Sequence, residues 1–258
     1  MSLGDHLHKP VKTVAGLELH YVHDIAIIVM DRGENRLNTQ FLDGFNELMD
    51  DVESNPSCKG LITTGKGKFY SNGLDLDWLS NLSSPELLQE FFTKLPRWLL
   101  RILLFPLPTL AALNGHCFAG GALVAFAHDL RVQNKEKGWT CFNEVFISRQ
   151  FQTWHYLYLK TKIGSGHNYT DAIVMGKRFT GPEALDSGIV HAAPPMSLLL
   201  SESIQLLKSF FGKSGYPRDS LHLMKSDVYR DAVEQYHKDM AGVEASEIKF
   251  DANIKSSL

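Results

Sequence analysis

Apolar positions along the chain change their period several times, and each change marks an element. Ile25 to Met30 is a β-branched apolar run, the pattern of a strand covered on both faces. After a polar loop, Phe41, Leu42, Phe45, Leu48, Met49 and Val52 recur at helical spacing and predict an amphipathic helix. The rhythm then repeats: Leu61 to Thr64 as a strand, a glycine-bearing loop, a helix from about Pro85, and a strand from Thr109 to Leu113. Gly120 and Gly121 open an apolar helix that runs to about His128, and Leu130 to Val132 reads as the next strand. Thr180, Pro182 and Glu183 make a capping box with proline in the first turn, so another helix starts there. Beyond about Ser197 only helical spacing remains, first through Leu198 to Leu207 and then, after the Gly215 to Pro217 break, from Asp219 to about Ile248. This alternation predicts an α/β protein, divided into a layered core over 1–197 and a helical segment over 198–258.

Composition narrows the function rather than the fold. With 258 residues, 44% of them apolar, the chain can bury a sizeable core. A formal charge of −3 gives no bulk attraction to nucleic acid or anionic lipid, so neither is an expected partner. The N-terminal residues lack an apolar signal-peptide core, and the most apolar stretch, Trp98 to Phe105, is short and broken by Arg101; no membrane segment is expected. Cys58, Cys117 and Cys141 form no CxxC pair, which suits core packing in a reducing compartment better than disulfides or zinc. The nucleophile-elbow, Walker, dinucleotide and zinc-protease patterns are absent from the sequence, so no metal ligands are expected.

What remains is two glycine-bearing turns and one carboxylate. The first turn, Gly65 to Leu76, follows a strand; the second, Asn114 to Gly121, precedes a helix. Either alone reads as a structural turn. His116 and Cys117 are adjacent in the second turn, and adjacent side chains seldom face one reactant, so packing is their expected role. The cluster Phe151, Trp154, Tyr156 and Tyr158 is expected in the core, with an acyl pocket as the alternative.

Together and in this order, the turns resemble the enoyl-CoA hydratase and isomerase family, the crotonase superfamily. Lys66 to Leu76 is similar to the family's G-x-F-(S/A)-x-G-x-D-(L/I), and Pro108 to Gly121 to its P-(T/V)-(I/V)-A-x-(I/L)-N-G-x-x-x-G-G-G. Asp129, Asn143-Glu144-Val145 and Gly176 to Val190 also match, so the resemblance spans about residues 20–195. The wording from Phe69 to Trp78 looks closest to the peroxisomal Δ3,Δ2-enoyl-CoA isomerase branch.

The resemblance implies a crotonase-type spiral core of ββα units with a C-terminal helical segment, an acyl-CoA substrate, and no cofactor, since coenzyme A is part of the substrate. It implies that the backbone N–H groups of Leu74 and Gly120 form an oxyanion hole for the thioester. Ser71, Asn72, Gly73, Leu74, Asp75 and Gly120 would contact the substrate, with Lys66 and Lys68 either near the phosphates or simply solvated. Hydratases of the family use two glutamates; the first of these positions is Leu123 here, and only Glu144 is retained. One carboxylate suffices for an allylic shift, because a base that takes a proton from C2 can return it to C4. The implied reaction is therefore conversion of 3-enoyl-CoA to 2-trans-enoyl-CoA in fatty-acid β-oxidation. A hydratase or other thioester enzyme, and a non-catalytic acyl-CoA-binding protein, stay open as alternatives. Two departures bear on this: Ser148 to Gln152 replaces the family's I-G-(L/I) continuation and proline, and Ala119 replaces the first glycine of its triplet. A homotrimer or a hexamer is expected. The terminal Ser256-Ser257-Leu258 differs from the peroxisomal Ser-Lys-Leu signal only in the middle, which implies an import receptor and a peroxisomal location, with the cytosol otherwise.

Overall fold

The first three strands, β1 (Lys12–Val14), β2 (Leu17–Val22) and β3 (Ile25–Met30), form an antiparallel meander in the computed structural model, which describes residues 7, 9–164 and 166–244. The chain then alternates: α1 (Thr39–Ser54), β4 (Gly60–Gly65), β5 (Phe69–Ser71), α2 (Leu76–Ser80), α3 (Pro85–Leu103), β6 (Thr109–Leu113), β7 (His116–Phe118), α4 (Gly120–Ala127), β8 (Leu130–Gln133) and β9 (Thr140–Cys141). Among the described residues the strands sort into a six-stranded sheet of order β1-β2-β3-β4-β6-β8 and a three-stranded sheet of order β5-β7-β9. From β3 to β8 the large sheet is parallel, and the small sheet is parallel throughout.

Strand β3 shows why the apolar run is continuous. Ala26, Ile28 and Met30 join the main core with α1, α3 and α4, whereas Ile25, Ile27 and Val29 face the other way. That second face is covered by Leu199, Leu200 and Leu207 of the later helix Leu199–Ser209. A parallel strand buried on both sides cannot alternate with polar residues.

The regular structure of the remaining described residues is mainly helical: α5 (Thr153–Ile163), α6 (His167–Tyr169, continued by a wider turn over Thr170–Val174), α7 (Gly181–Asp186), α8 (Leu199–Ser209), α9 (Arg218–Val228) and α10 (Arg230–Glu244). The Thr180 capping box has both of its reciprocal bonds in place. Helix α1, α3 from Pro85, and strands β4, β6 and β8 lie where their periodicity predicts. Three features go beyond the sequence reading: the β1–β2 hairpin, the small sheet inside segments read as loops, and the 3₁₀ turn over Glu144–Ile147 that Glu144 opens. Strands of two or three residues leave too few alternations to register as a period.

A single buried cation ties α9 to the sheet. Lys225, 6% exposed, donates to the carbonyls of Phe105 (2.8 Å) and Leu107 (3.0 Å) and to Asp129 Oδ2 (2.6 Å). Asp129 in turn accepts from the Thr109 backbone N–H (2.8 Å) and hydroxyl (3.0 Å). Burial alone would raise the Asp129 carboxyl, but Lys225 and Lys162 outweigh it and hold it below the usual carboxylate range. Removing one partner of a buried ion pair typically costs about 3–5 kcal/mol, because the other charge is left uncompensated. Lys225→Met is therefore expected to lower stability by about that much in urea titrations. The Lys225→Met, Asp129→Leu pair should recover part of the loss; no recovery would mean that the ion pair is not what the single change breaks.

Candidate active site

Both glycine-bearing turns leave the carboxyl ends of neighbouring parallel strands, the first after β5 and the second after β7. That end of a parallel sheet is where ligands gather in α/β proteins. The turns close on each other because glycines stand at the contact. A Cβ built on Gly121 would lie 2.5 Å from the Ser71 carbonyl oxygen, well inside any allowed contact. Gly73 has a φ of +79°, in the left-handed region that side chains resist.

Two backbone amides are left over at this junction. Leu37 donates to the Gly73 carbonyl (2.8 Å) and accepts from the Asp75 N–H (3.0 Å), which brackets Leu74 and leaves its N–H outside the bridge. Gly120 is the first residue of α4, so its N–H has no intrahelical acceptor. Among the described residues neither amide donates to another backbone carbonyl outside regular structure. They are close together: a Cβ built on Gly120 would sit 3.7 Å from the Leu74 nitrogen, and one built on Gly73 would sit 3.1 Å from the Gly120 nitrogen. Ala119, which precedes the helix, has φ 51° and ψ −124°. A methyl-bearing residue in that region carries strain of order 1–3 kcal/mol, so the departure from glycine is not conformationally free.

The amides open onto a cavity of about 260 Å³. Leu37, Leu74, Phe92, Leu95, Leu99 and Leu123 give it an apolar wall. Asn143 and Glu144 enter from the segment after β9. Glu144 Oε2 is buried and has no hydrogen-bond partner among the described residues. Burial pushes the Glu144 carboxyl up to about 8, against a smaller lowering by its own backbone N–H. The same segment ends at Ser148, in the left-handed conformation, and then turns Arg149, Gln150 and Gln152 toward the cavity. Helix α5 supplies the end of this wall with His155, and it is capped from α10, where Asp239 Oδ2 accepts the Trp154 N–H at 3.0 Å.

The remaining residues singled out from the sequence separate into several places. Asn72, Leu74, Gly120, Leu123 and Glu144 line the cavity. Ser71 lies behind it, donating to the Asn35 carbonyl (2.8 Å) and accepting from the Gly73 N–H (3.2 Å). Asp75 caps α2 through the Trp78 N–H (3.1 Å), accepts from Asn38 Nδ2 (2.9 Å), and lines a neighbouring charged recess with Arg32, Glu34, Arg36 and Asp77. Lys66 pairs with Asp31 (2.6 Å), and Lys68 lies 5.5 Å from the Phe69 ring centre. Cys58, Cys117 and Cys141 are free, buried thiols. His116 is turned away from Cys117 and stacks among Phe69, Phe118 and Trp139. Of the aromatic cluster, Phe151 reaches the cavity while Trp154 and Tyr158 are fully buried core.

Sequence reasoning overlooked Arg36, His155 and the cavity face of α3. The α3 face was within reach, since Phe92, Leu95, Pro96 and Leu99 form one stripe at helical spacing. Arg36 and His155 give no such signal, because a lone polar residue has no period.

Comparison with known proteins agrees with this geometry. The model of the enoyl-CoA hydratase/isomerase family matches residues 21–253. Enoyl-CoA delta isomerase 3 of Arabidopsis thaliana is 34% identical over 164 residues, 62% of this chain and 68% of that protein. The peroxisomal enoyl-CoA delta isomerase 1 of the same plant is 32% identical over 163 residues, covering 62% and 67% respectively. The human mitochondrial Δ3,Δ2-enoyl-CoA isomerase structure superimposes with a TM-score of 0.80 at 23% identity, over 94% of this chain and 95% of that one, which establishes the crotonase fold. By its sequence match across most of its length and by that shared fold, the chain belongs to the enoyl-CoA hydratase/isomerase family.

Proposed function

We propose that the protein shifts the double bond of a 3-enoyl-CoA to give the 2-trans-enoyl-CoA, with Glu144 as the sole proton carrier and the Leu74 and Gly120 amides as the oxyanion donors. The observation that carries this reading is the cavity's composition: a buried carboxylate whose Oε2 has no partner among the described residues, two N–H groups that donate to no backbone carbonyl outside regular structure among those residues, and Leu123 in the apolar wall. The relatives named as enoyl-CoA delta isomerases support the same reaction.

In this mechanism Glu144 takes a proton from C2, and the C2–H electron pair flows into the thioester to give a dienolate whose oxygen carries the charge. Two preorganised N–H donors stabilise that oxygen, and the α4 N-terminus adds the favourable end of its dipole. The protonated Glu144 then returns the same proton to C4, the double bond settles between C2 and C3, and the carboxylate is regenerated. The substrate supplies every electron, so no redox partner is required. Leu123 can neither give nor take a proton, and a hydratase needs a second group at that place to handle water.

Acyl-CoA is the partner implied by the family match. A homotrimer, or a dimer of trimers, is the assembly proposed. Leu223, Met224 and Val228 of α9 stand 62–65% exposed on one side of the helix and are the apolar surface that assembly would cover. Peroxisomal import is proposed from the relatives named as peroxisomal and from Ser256-Ser257-Leu258, which lies outside the described residues.

Glu144→Gln should lower isomerase turnover by about 100- to 10,000-fold, the span of a positioned general base, with acyl-CoA binding kept because both donors are backbone groups. The wild type should hydrate crotonyl-CoA more slowly than it isomerises a 3-enoyl-CoA; the reverse order in paired assays would overturn the single-base mechanism. Because the Glu144 carboxyl sits near 8 and must be ionised to act, kcat/KM should climb as pH rises through about 8, and Glu144→Asp should displace that limb. Light scattering should give a trimer or hexamer mass, with Met224→Glu weakening it, and a fluorescent fusion with a free C-terminus should leave peroxisomes when the last three residues are deleted.

A further inference from the structure

The wall that departs from the family pattern is also the polar wall of the cavity. Arg149, Gln150, Gln152 and His155 come from one continuous segment, opposite the apolar stripe of α3. Of these, His155 is the one held in the interior: it is 6% exposed, in the first turn of α5, with the Trp154 ring 4.2 Å and the Phe151 ring 5.8 Å away.

Its tautomer follows from its neighbour. Nδ1 lies 3.2 Å from the Gln152 carbonyl oxygen, which can only accept, so Nδ1 carries the proton. Nε2 is then a bare lone pair, and it is buried with no hydrogen-bond partner among the described residues. Burial also pulls the ring's basicity down to about 3, so Nε2 stays a neutral acceptor at physiological pH. Three of the buried polar atoms without a partner belong to cavity residues: Glu144 Oε2, Asn143 Oδ1 and His155 Nε2. The first has a chemical use in the mechanism above; the third has none there.

We propose that His155 is a specificity-determining residue whose Nε2 accepts a hydrogen bond from a hydroxyl group on the acyl chain, so that the cavity selects hydroxylated acyl-CoA over the plain hydrocarbon chain. The proposal rests on the acyl-CoA reading of the cavity. A neutral acceptor among aromatic rings calls for a neutral donor, because an ammonium would have to be desolvated there. On a hydrocarbon chain the simplest neutral donor is a hydroxyl. Sites that hydrogen-bond a substrate hydroxyl discriminate against analogues lacking it, since the buried acceptor is then left unpaired.

The test uses saturated thioesters, which bind without reacting: octanoyl-CoA against 6-, 7- and 8-hydroxyoctanoyl-CoA, measured by calorimetry on the wild type, His155→Leu and His155→Gln. One hydroxyl position should bind the wild type about 3- to 10-fold more tightly than octanoyl-CoA, the worth of one net hydrogen bond. The preference should vanish in His155→Leu and survive in His155→Gln, which keeps an acceptor. His155→Leu should melt no lower than the wild type, since it removes an unpaired buried acceptor. No preference in the wild type, or a preference that persists in His155→Leu, would overturn the proposal. An equal loss for every thioester would overturn it too, placing the acceptor on the coenzyme A arm. Failure of octanoyl-CoA itself to bind the folded wild type would instead sink the acyl-CoA reading on which all of this stands.

Discussion

The site depends on one approach of backbone to backbone, where the turn after β5 meets the turn before α4. At Gly121 the Ser71 carbonyl comes so near that no side chain fits, and this contact sets the spacing between the Leu74 and Gly120 nitrogens. Everything else is built around a distance that side chains do not control. Backbone donors have few ways to adjust, so the surrounding bonds hold them: Ser71 to Asn35, Asn38 to Asp75, and Leu37 to both neighbours of Leu74. The side chain at 74 adds to the apolar wall of the cavity, while both of its neighbours are held through their backbones by Leu37.

The charge distribution follows from the same scaffold. Apolar walls from α3 and α4 surround a carboxyl group whose Oε2 has no partner among the described residues, and burial there is why its proton is held so firmly. In water the group would ionise some three to four pH units lower. The price of this arrangement is a buried acid that is costly to ionise until a substrate's own dipoles replace the solvent. Ala119 adds a second cost, since its backbone stands where glycine is at ease. Both costs fall on residues that line the cavity, as expected where function overrides local preference.

Much of this was legible in the sequence, for reasons that are physical. Long periodic segments such as α1, and unbroken apolar runs such as β3, carry enough repeats to be read from one chain. The turn residues were legible because glycines cluster where backbone must approach backbone. Short strands escaped notice: β9 has two residues, and its pairing with β7 is fixed by neighbours far apart in sequence. The 3₁₀ turn at Glu144 was hidden too, since its four residues are governed by the left-handed Ser148 rather than by any pattern of their own. The polar face of the cavity was the least accessible, because His155 acquires its meaning only from what α5 packs against.

The cap on α5 ties the cavity to the end of the chain in time as well as in space. Helix α5, which bears His155, has the N–H of Trp154 satisfied by Asp239, 85 residues further on. Chains emerge from the ribosome N-terminus first, and sheet and turns can assemble from what has already appeared. The glycine turns after β5 and β7 therefore emerge long before Asp239, whereas the far wall of the cavity lacks its cap until synthesis is almost over. Sequence order thus separates the two sides of the cavity: the glycine turns are encoded early, and the cap on the opposite wall comes late.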